Sequence, residues 1–298
     1  MCGIVGLFLK DKSLEPELGA LLSRMLVTLT DRGPDSAGIA IYGAPDGNRA
    51  KITVQSPFPD RDFPGLEKSL SEKLGVDVKL TRKSTHAVVA VPADKVDEAR
   101  AVISELAPDI RVMSSGGVVE IYKEVGLPQE VVERFGVDAM SGTHGIGHTR
   151  MATESAVTTL GAHPFSTGPD QCLVHNGSLS NHNNLRRELK RQGITFETEN
   201  DTEVAAAYVS SRIGQGASLG EALESGLDDL DGFYTFVVGT ESGFGVVRDP
   251  IACKPAVLAE TDQYVAFGSE YRALAMLPGI EDAKIWEPEP STVYFWEH

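Results

Sequence analysis

The sequence has few cysteines and no long apolar run, and these absences exclude several classes of protein. Cys2, Cys172 and Cys253 are widely spaced and include no C-x-x-C pair. This argues against a disulfide framework and against a zinc site, so a reducing compartment is expected. No run approaches the roughly 18 apolar residues of a membrane-spanning helix, and the N-terminus lacks the features of a signal peptide. We therefore expect a cytoplasmic protein with no membrane partner.

The sequence also has fewer basic than acidic residues. The chain has 27 Lys and Arg against 43 Asp and Glu, a formal net charge of -16. A surface of that sign repels nucleic-acid phosphates and anionic lipid, so neither is expected as a partner. A hydrophobic content of 41% and a charged content of 23% are ordinary for a globular protein. The length of 298 residues suffices for one large domain or two smaller ones.

Apolar periodicity predicts strands and helices in alternation. Residues 4–9 and 39–42 are predicted strands, and the leucines of residues 18–29 recur every three or four positions, which predicts a helix opened by Pro16. Further helices are predicted at 96–106 and 181–192, after Asn200, and after Ser218, where Glu221 completes a capping box. Further strands are predicted at 51–55, 76–80, 86–91, 109–113, 118–123, 171–174, 233–238, 244–247, 256–258, 264–267 and 293–295. Residues 45–140 contain no chemical cluster and are interpreted as an inserted small α+β lobe.

Cys2 is the first candidate for chemistry. It directly follows Met1, so removal of Met1 would leave a thiol and a free α-amine on one carbon. That amine, with a pKa near ~8, can accept the proton of the thiol. With Met1 attached, Cys2 would have no base of its own. The alternative interpretation is a small hydrophobic residue that opens a buried strand.

Two arginines lie in turn-rich or glycine-rich segments. Arg32 begins the segment 32–38 between a helix and a strand, and it would approach Cys2 if strands 4–9 and 39–42 pair. The alternative is an ordinary turn. Arg150 follows His148 in a glycine-rich segment, and an arginine can hold a carboxylate with two parallel hydrogen bonds. The alternative there is a surface salt bridge. His144 and His148 lack an evident third ligand, so no metal site is predicted.

A strand is predicted to end at His175-Asn176-Gly177. The Asn176 amide is a donor, and glycine at position 177 lets its own N–H approach a ligand, so the two can hold an oxyanion. The alternative is an Asn-Gly turn. Asp201 precedes a predicted helix, where it either caps the helix or faces the ammonium group of an amino-acid substrate.

Together these motifs resemble the class II glutamine amidotransferases, whose glutaminase domain belongs to the N-terminal-nucleophile hydrolases. The matching segments are 2–6, 32–38, 147–153, 163–165, 175–177 and 200–203, in family order. Residues 248–250, 254–255 and 269–270 also resemble the amidophosphoribosyltransferase branch. The resemblance covers nearly everything except about residues 45–140.

The resemblance implies an α/β layered (α+β) fold, a four-layer αββα sandwich over residues 2–298 that carries the inserted lobe at 45–140. It also implies catalytic roles. Cys2 would attack the glutamine amide and form a γ-glutamyl thioester, with its α-amine moving the proton. Asn176 and the amide of Gly177 would stabilise the oxyanion, and Arg32 would support the nucleophile.

The remaining implied roles concern the substrate, which would be glutamine. Arg150, with help around Thr153, would bind the glutamine α-carboxylate. Asp201 would bind its α-amino group, and Gly177 would also contact the substrate. No metal is expected.

The layout most resembles the amidotransferase subunit of N-methylglutamate synthase or of split, glutamate-synthase-like enzymes. This implies a glutaminase subunit that delivers ammonia to a synthase partner. Flavin and iron–sulfur groups would be on the partner chains, and no cofactor is expected in this chain. Two alternatives stay open: a non-catalytic regulatory or scaffold subunit, and an N-terminal-nucleophile amidase for another substrate.

Overall fold

The structure is a computed structural model that describes residues 1–152 and 156–298. Its strands are β1 Gly3–Leu9, β2 Ser36–Tyr42, β3 Arg49–Gln55, β4 Lys79–Lys83, β5 His86–Pro92, β6 Arg111–Gly116, β7 Val119–Val125, β8 His144–Arg150, β9 Cys172–Leu179, β10 Gly232–Gly239, β11 Gly243–Arg248, β12 Val257–Glu260, β13 Tyr264–Gly268, β14 Lys284–Trp286 and β15 Thr292–Glu297. Its α-helices are α1 Leu18–Thr28, α2 Pro59–Asp62, α3 Leu66–Leu74, α4 Val96–Leu106, α5 Pro128–Phe135, α6 His182–Arg191, α7 Asp201–Gly214, α8 Leu219–Asp229 and α9 Tyr271–Leu274.

Two antiparallel sheets form the centre of the protein. The larger has the order β14-β12-β13-β1-β8-β2-β7, and the smaller has the order β15-β11-β10-β9. Their facing side chains interdigitate in one buried cluster that includes Ile4, Val174 and Phe244. Side chains of this size each stabilise the fold by about 1.5–3 kcal/mol when fully buried. Burial of one face of each sheet thus holds the two sheets together.

Helices cover the outer faces of both sheets. Helices α1, α5 and α9 pack on the larger sheet around Leu22, Phe135 and Leu274. Helices α6, α7 and α8 pack on the smaller sheet around Leu189 and Val204. The result is four layers, αββα, so the predicted fold class is confirmed.

The first two strands do not pair with each other. Strand β8 lies between β1 and β2 and pairs with both, Gly3 being opposite Thr149 and Ser36 opposite Arg150. Glycine in β8 lets α1 approach, because a Cβ on Gly145 would lie 2.8 Å from Leu22 Cδ2 and 3.0 Å from the carbonyl of Ala40. The strand between β1 and β2 therefore comes from the distant glycine-rich segment.

A separate sheet occupies part of the 45–140 segment. Its order is β4-β5-β3-β6, and α3 and α4 contribute to its own buried cluster. The sheet ends at Gly116, because β7 lies in the larger central sheet and α5 packs on that sheet. Asp170 joins this lobe to the core, since its carboxylate accepts hydrogen bonds from the N–H groups of Gly117, Val118 and Val119.

Several predicted boundaries shift in the structure. The strand expected at 76–80 is β4, Lys79–Lys83, because its register is set by pairing with β5. Pro16 lies in a 3₁₀ turn, Lys12–Glu17, and the α-helix begins only at Leu18. Helix α3 was not predicted, although Leu66, Leu70 and Leu74 recur every four residues and are buried. Helix α5, which Pro128 opens, was not predicted either.

Candidate active site

Three segments that are distant in sequence meet at Cys2. Cys2 is half-buried and directly precedes β1. Its carbonyl accepts hydrogen bonds from Arg32 Nε at 3.0 Å and from Asn176 Nδ2 at 3.2 Å. The Cys2 Sγ lies 3.9 Å from the carbonyl of Met151 at the end of β8. The main chain of Cys2 is therefore fixed from both sides, which positions its side chain.

Arg32 reaches Cys2 although β1 and β2 are not paired. It ends a 3₁₀ turn, Thr30–Arg32, and its guanidinium is buried. The Nη1 of Arg32 donates to Glu270 at 2.6 Å, and Glu270 also accepts from Arg272 Nε at 2.6 Å. The hydrogen bond from Arg32 holds the pKa of the Glu270 carboxyl below its usual range. The Arg32 side chain thus connects Cys2 to an acidic residue that follows β13.

Asn176 and Gly177 lie within β9 and not in a turn, so the Asn-Gly turn is excluded. They are opposite Thr235 and Tyr234 of β10, and the strand continues to Leu179. Gly177 has a φ of 148°, and a Cβ there would lie 1.9 Å from the carbonyl of Phe233. The backbone at position 177 therefore requires glycine.

Asp201 is the first residue of α7 but does not cap it. Asn200 is the cap, because its side chain accepts from the N–H of Thr202 at 2.9 Å. The Asp201 Oδ2 accepts from the N–H of Leu179 at 2.9 Å, and Oδ1 lies 3.7 Å from His175 Nδ1. The carboxylate thus lies against the strand that carries Asn176 and Gly177 and stays about a quarter exposed, at 23%.

Arg150 is the last residue of β8 and is buried. By the register of the sheet it lies next to the start of β1, since Thr149 is opposite Gly3. Its carbonyl accepts from the N–H of Asp35, and Asp35 Oδ2 accepts from the N–H of Ala152 at 2.8 Å. The turn before β2 therefore fixes the end of β8. Thr153, which was expected to help Arg150, lies outside the described residues.

Three histidines beneath these residues were given no role from sequence. His163 Nδ1 lies 2.9 Å from His148 Nε2, which lies 3.1 Å from the carbonyl of His175. His175 Nδ1 lies 3.1 Å from Thr202 Oγ1. Burial lowers the pKa of His148 to about 3 and that of His175 to about 4, so both are neutral at pH 7.

A signal for these histidines was present in the sequence. His148 lies two residues before Arg150, and His175 directly precedes Asn176. In a strand, residues two positions apart share a face and adjacent residues lie on opposite faces, so His148 shares the face of Arg150 and His175 lies on the face opposite to Asn176. Across residues 1–152 and 156–298, no cluster of three or more His, Cys, Asp or Glu side chains is arranged to hold a metal.

The described part of the chain also contains no helix that is long and apolar enough to cross a membrane.

Similar proteins were found by sequence and by structure. A family model for a glutamine amidotransferase domain matches residues 148–276. The chain is 70% identical over 298 residues to the glutamine amidotransferase-like protein GlxB of Rhizobium meliloti, covering 100% of this chain and 99% of that protein. It is 33% identical over 172 residues to the amidophosphoribosyltransferase of Synechocystis sp., covering 55% of this chain and 34% of that protein.

A solved structure has a similar fold. Glutamine phosphoribosylpyrophosphate amidotransferase from B. subtilis, complexed with ADP and GMP, superposes with a TM-score of 0.63 and 20% identity. The match covers 99% of this chain and 47% of that chain.

The αββα layers, with a cysteine at the start of a central strand, define the fold class of the N-terminal-nucleophile hydrolases. Given the relative that matches over the full length, the chain belongs to the class II glutamine amidotransferase family.

Proposed function

We propose that this chain is a glutaminase subunit that hydrolyses glutamine through a thioester on Cys2. The observation that carries the proposal is the meeting of Arg32, Asn176 and Cys2, because both side chains donate to the same carbonyl. Arg32 and Asn176 come from segments that are distant in sequence, and both contact the residue that carries the proposed nucleophile.

The proposed reaction begins with the Cys2 thiol. Its proton moves to the α-amine of Cys2, and the sulfur attacks the side-chain carbonyl carbon of glutamine. The developing oxyanion accepts hydrogen bonds from Asn176 Nδ2 and the N–H of Gly177, as in other oxyanion holes. The carbon–nitrogen bond then breaks, the proton on the amine passes to the leaving group, and ammonia departs. Water hydrolyses the thioester to glutamate and restores the thiol.

The proposal requires that Met1 be removed. With Met1 present, the amine belongs to Met1 and lies 3.2 Å from Met151 Sδ, while the nitrogen of Cys2 is in a peptide bond. A peptide nitrogen cannot accept the proton of the thiol. Removal of Met1 would give Cys2 an amine with a pKa near ~8.

The substrate contacts proposed are those that a free amino acid needs. Arg150 pairs with the α-carboxylate, with Thr153 assisting, and Asp201 pairs with the α-ammonium. The partly exposed carboxylate of Asp201 beside the strand of Gly177 supports this assignment. Burial of Arg150 supports it too, because a carboxylate pairs more strongly with a desolvated guanidinium.

The ammonia acceptor is proposed to be a synthase partner, of the N-methylglutamate synthase or glutamate-synthase type. Flavin and iron–sulfur groups would belong to the partner, and this chain would carry no cofactor. The support is the sequence layout alone.

The test compares wild type with Cys2→Ala and with Cys253→Ala, an exposed cysteine that serves as control. Intact mass first establishes that Met1 is absent. Wild type and Cys253→Ala should release glutamate and ammonia, alone or with the co-purified partner, and Cys2→Ala should release neither while keeping its melting temperature.

Three results would overturn the proposal. Full activity in Cys2→Ala would remove the thioester mechanism. A wild-type chain that lacks Met1 and stays inactive in its complex would indicate a scaffold subunit. Hydrolysis of another amide but not of glutamine would instead indicate a different amidase.

A further inference from the structure

A second cavity lies between the inserted lobe and the core. Its volume is about 330 Å³, within the ~300–1,000 Å³ of small-molecule sites. On the lobe side it is lined by Arg100 of α4 and Ser114 of β6, and on the core side by Lys123, Glu197 and Glu203. Among the described residues, Arg150, Gly177 and Asp201, which are proposed to bind glutamine, do not line this cavity. It is therefore a separate feature of the molecule.

Within the described part of the chain, Arg100 on the lobe side and Glu197 on the core side lack a close partner inside the cavity. The carboxylate nearest to Arg100 is that of Asp97 on the same helix, at 3.9 Å and on the exposed surface. Within the described ranges, the Glu197 carboxylate makes no hydrogen bond or ion pair. Partial burial raises the pKa of Glu197, and the positive charges of Arg111, Lys123 and, least, Arg100 oppose that rise. One guanidinium and one carboxylate thus remain available to a ligand.

The lobe side of the cavity has an unsatisfied hydroxyl, that of Ser114. Ser114 is 2% exposed, and its Oγ has no hydrogen-bond partner among the described residues. A buried polar group without a partner is unfavourable, so a polar ligand atom would compensate for this hydroxyl. Lys123 cannot serve the ligand, because its ammonium already donates to the carbonyls of Leu160, Ala162 and Pro164.

We propose that this cavity binds a free α-amino acid, whose carboxylate pairs with Arg100 and whose ammonium group pairs with Glu197. An anion without a positive group would face Glu197 and Glu203 unfavourably. A simple cation would face Arg100 and the buried ammonium of Lys123 unfavourably. A zwitterion satisfies both walls, and its polar atoms reach the hydroxyl of Ser114.

The core-side wall connects to the active site at two places. Lys123 holds the segment that carries His163, and His163 contacts His148 beneath Arg150. Glu203 accepts from the N–H groups of Glu197 and Thr198, and it lies two residues after Asp201 in α7. A ligand in the cavity would therefore affect both proposed ends of the glutamine site. This consequence rests on the proposed function, whereas binding itself does not.

The test is calorimetric titration of the full chain with the common amino acids other than glutamine and glutamate. Acetate and methylamine serve as probes with one charge each. At least one amino acid should bind with a stoichiometry of one, and the single-charge probes should not bind. Arg100→Gln and Glu197→Gln should each weaken binding by about tenfold or more, which is about 1.4 kcal/mol.

Two sets of controls separate this cavity from other sites. Arg191→Gln and Glu224→Gln change exposed charges elsewhere and should leave the affinity unchanged. Arg150→Gln alters the proposed glutamine site, so binding in the cavity should persist in that variant even if glutamine hydrolysis is never observed.

Three outcomes would overturn the inference. The first is that no amino acid binds. The second is that acetate or methylamine binds as tightly as the amino acid. The third is that binding is lost in Arg150→Gln but kept in Arg100→Gln and Glu197→Gln. Circular dichroism and melting temperature establish that each variant is folded.

Discussion

Replacement of Arg32 by lysine tests how the nucleophile is held. The guanidinium makes two directed contacts, from Nε to the carbonyl of Cys2 and from Nη1 to Glu270. Lysine keeps the positive charge but is a compact ammonium without the planar fork, so it can pair with Glu270 and lose the Cys2 carbonyl. The variant therefore removes one charge-assisted hydrogen bond and leaves the ion pair.

The magnitude follows from that single bond. A hydrogen bond from a charged donor contributes about 1.5–3 kcal/mol. If its function is to fix Cys2 in the attacking position, the loss appears in the rate, and each 1.36 kcal/mol is a factor of ten. We expect kcat/KM for glutamine hydrolysis to fall by about 10- to 150-fold, with the melting temperature little changed.

The matched control is Arg272→Lys. Arg272 contacts the same Glu270 carboxylate at 2.6 Å, but no hydrogen bond from it to Cys2 is found within the described residues. Its replacement should change the rate by less than about threefold, as expected for an exposed ion pair. Arg32→Lys activity within about twofold of wild type would refute the positioning role. Equal losses in both variants would show that the ion pair with Glu270, and not the hydrogen bond to Cys2, determines kcat/KM.

Two further predictions concern stability. Gly177→Ala should lower the free energy of unfolding, measured in urea, by roughly 2–6 kcal/mol, the sum of overpacking against Phe233 and an unfavourable φ. The control is Gly193→Ala, which is also at positive φ but has nothing within 4 Å, and it should cost only about 1–3 kcal/mol. Equal losses in the two variants would contradict the steric argument. Burial lowers the pKa of His144 to about 3, so the unfolded chain binds this proton below about 6.5 while the folded chain does not. The contribution of His144 to stability is complete above that pH and falls by up to about 1.4 kcal/mol per pH unit as the pH drops. In His144→Gln, the free energy of unfolding measured in urea should therefore decline less steeply between pH 6.5 and 4.5. An unchanged slope would contradict this prediction.

The layered fold could be predicted to a large extent because each layer has a local pattern. Helix α1 shows the spacing of one buried face, and Leu18, Leu22 and Met25 are all buried. The capping box at Ser218 and Glu221 is present as predicted. Such signals are local because a helix face or a cap depends on residues only three or four positions apart.

The pairing of the strands could not be predicted in the same way. Strands β1 and β2 are close in sequence, but β8 lies between them. Pairing depends on which strands can bury their faces together, and loop closure favours nearby partners only weakly. Strand β7 likewise joins a sheet whose other strands are distant in sequence.

The sequence by itself determined the family motifs and the residue types at positions 2, 32, 150, 176, 177 and 201. Only the tertiary structure decided how they meet. It directs Arg32 and Asn176 to one carbonyl of Cys2, gives the cap of α7 to Asn200 instead of Asp201, and places three neutral histidines beneath the site. It also places Arg100 and Glu197 on opposite walls of one cavity. The physical reason is that a chemical group is specified by its residue, whereas its neighbours are specified by packing across the whole chain.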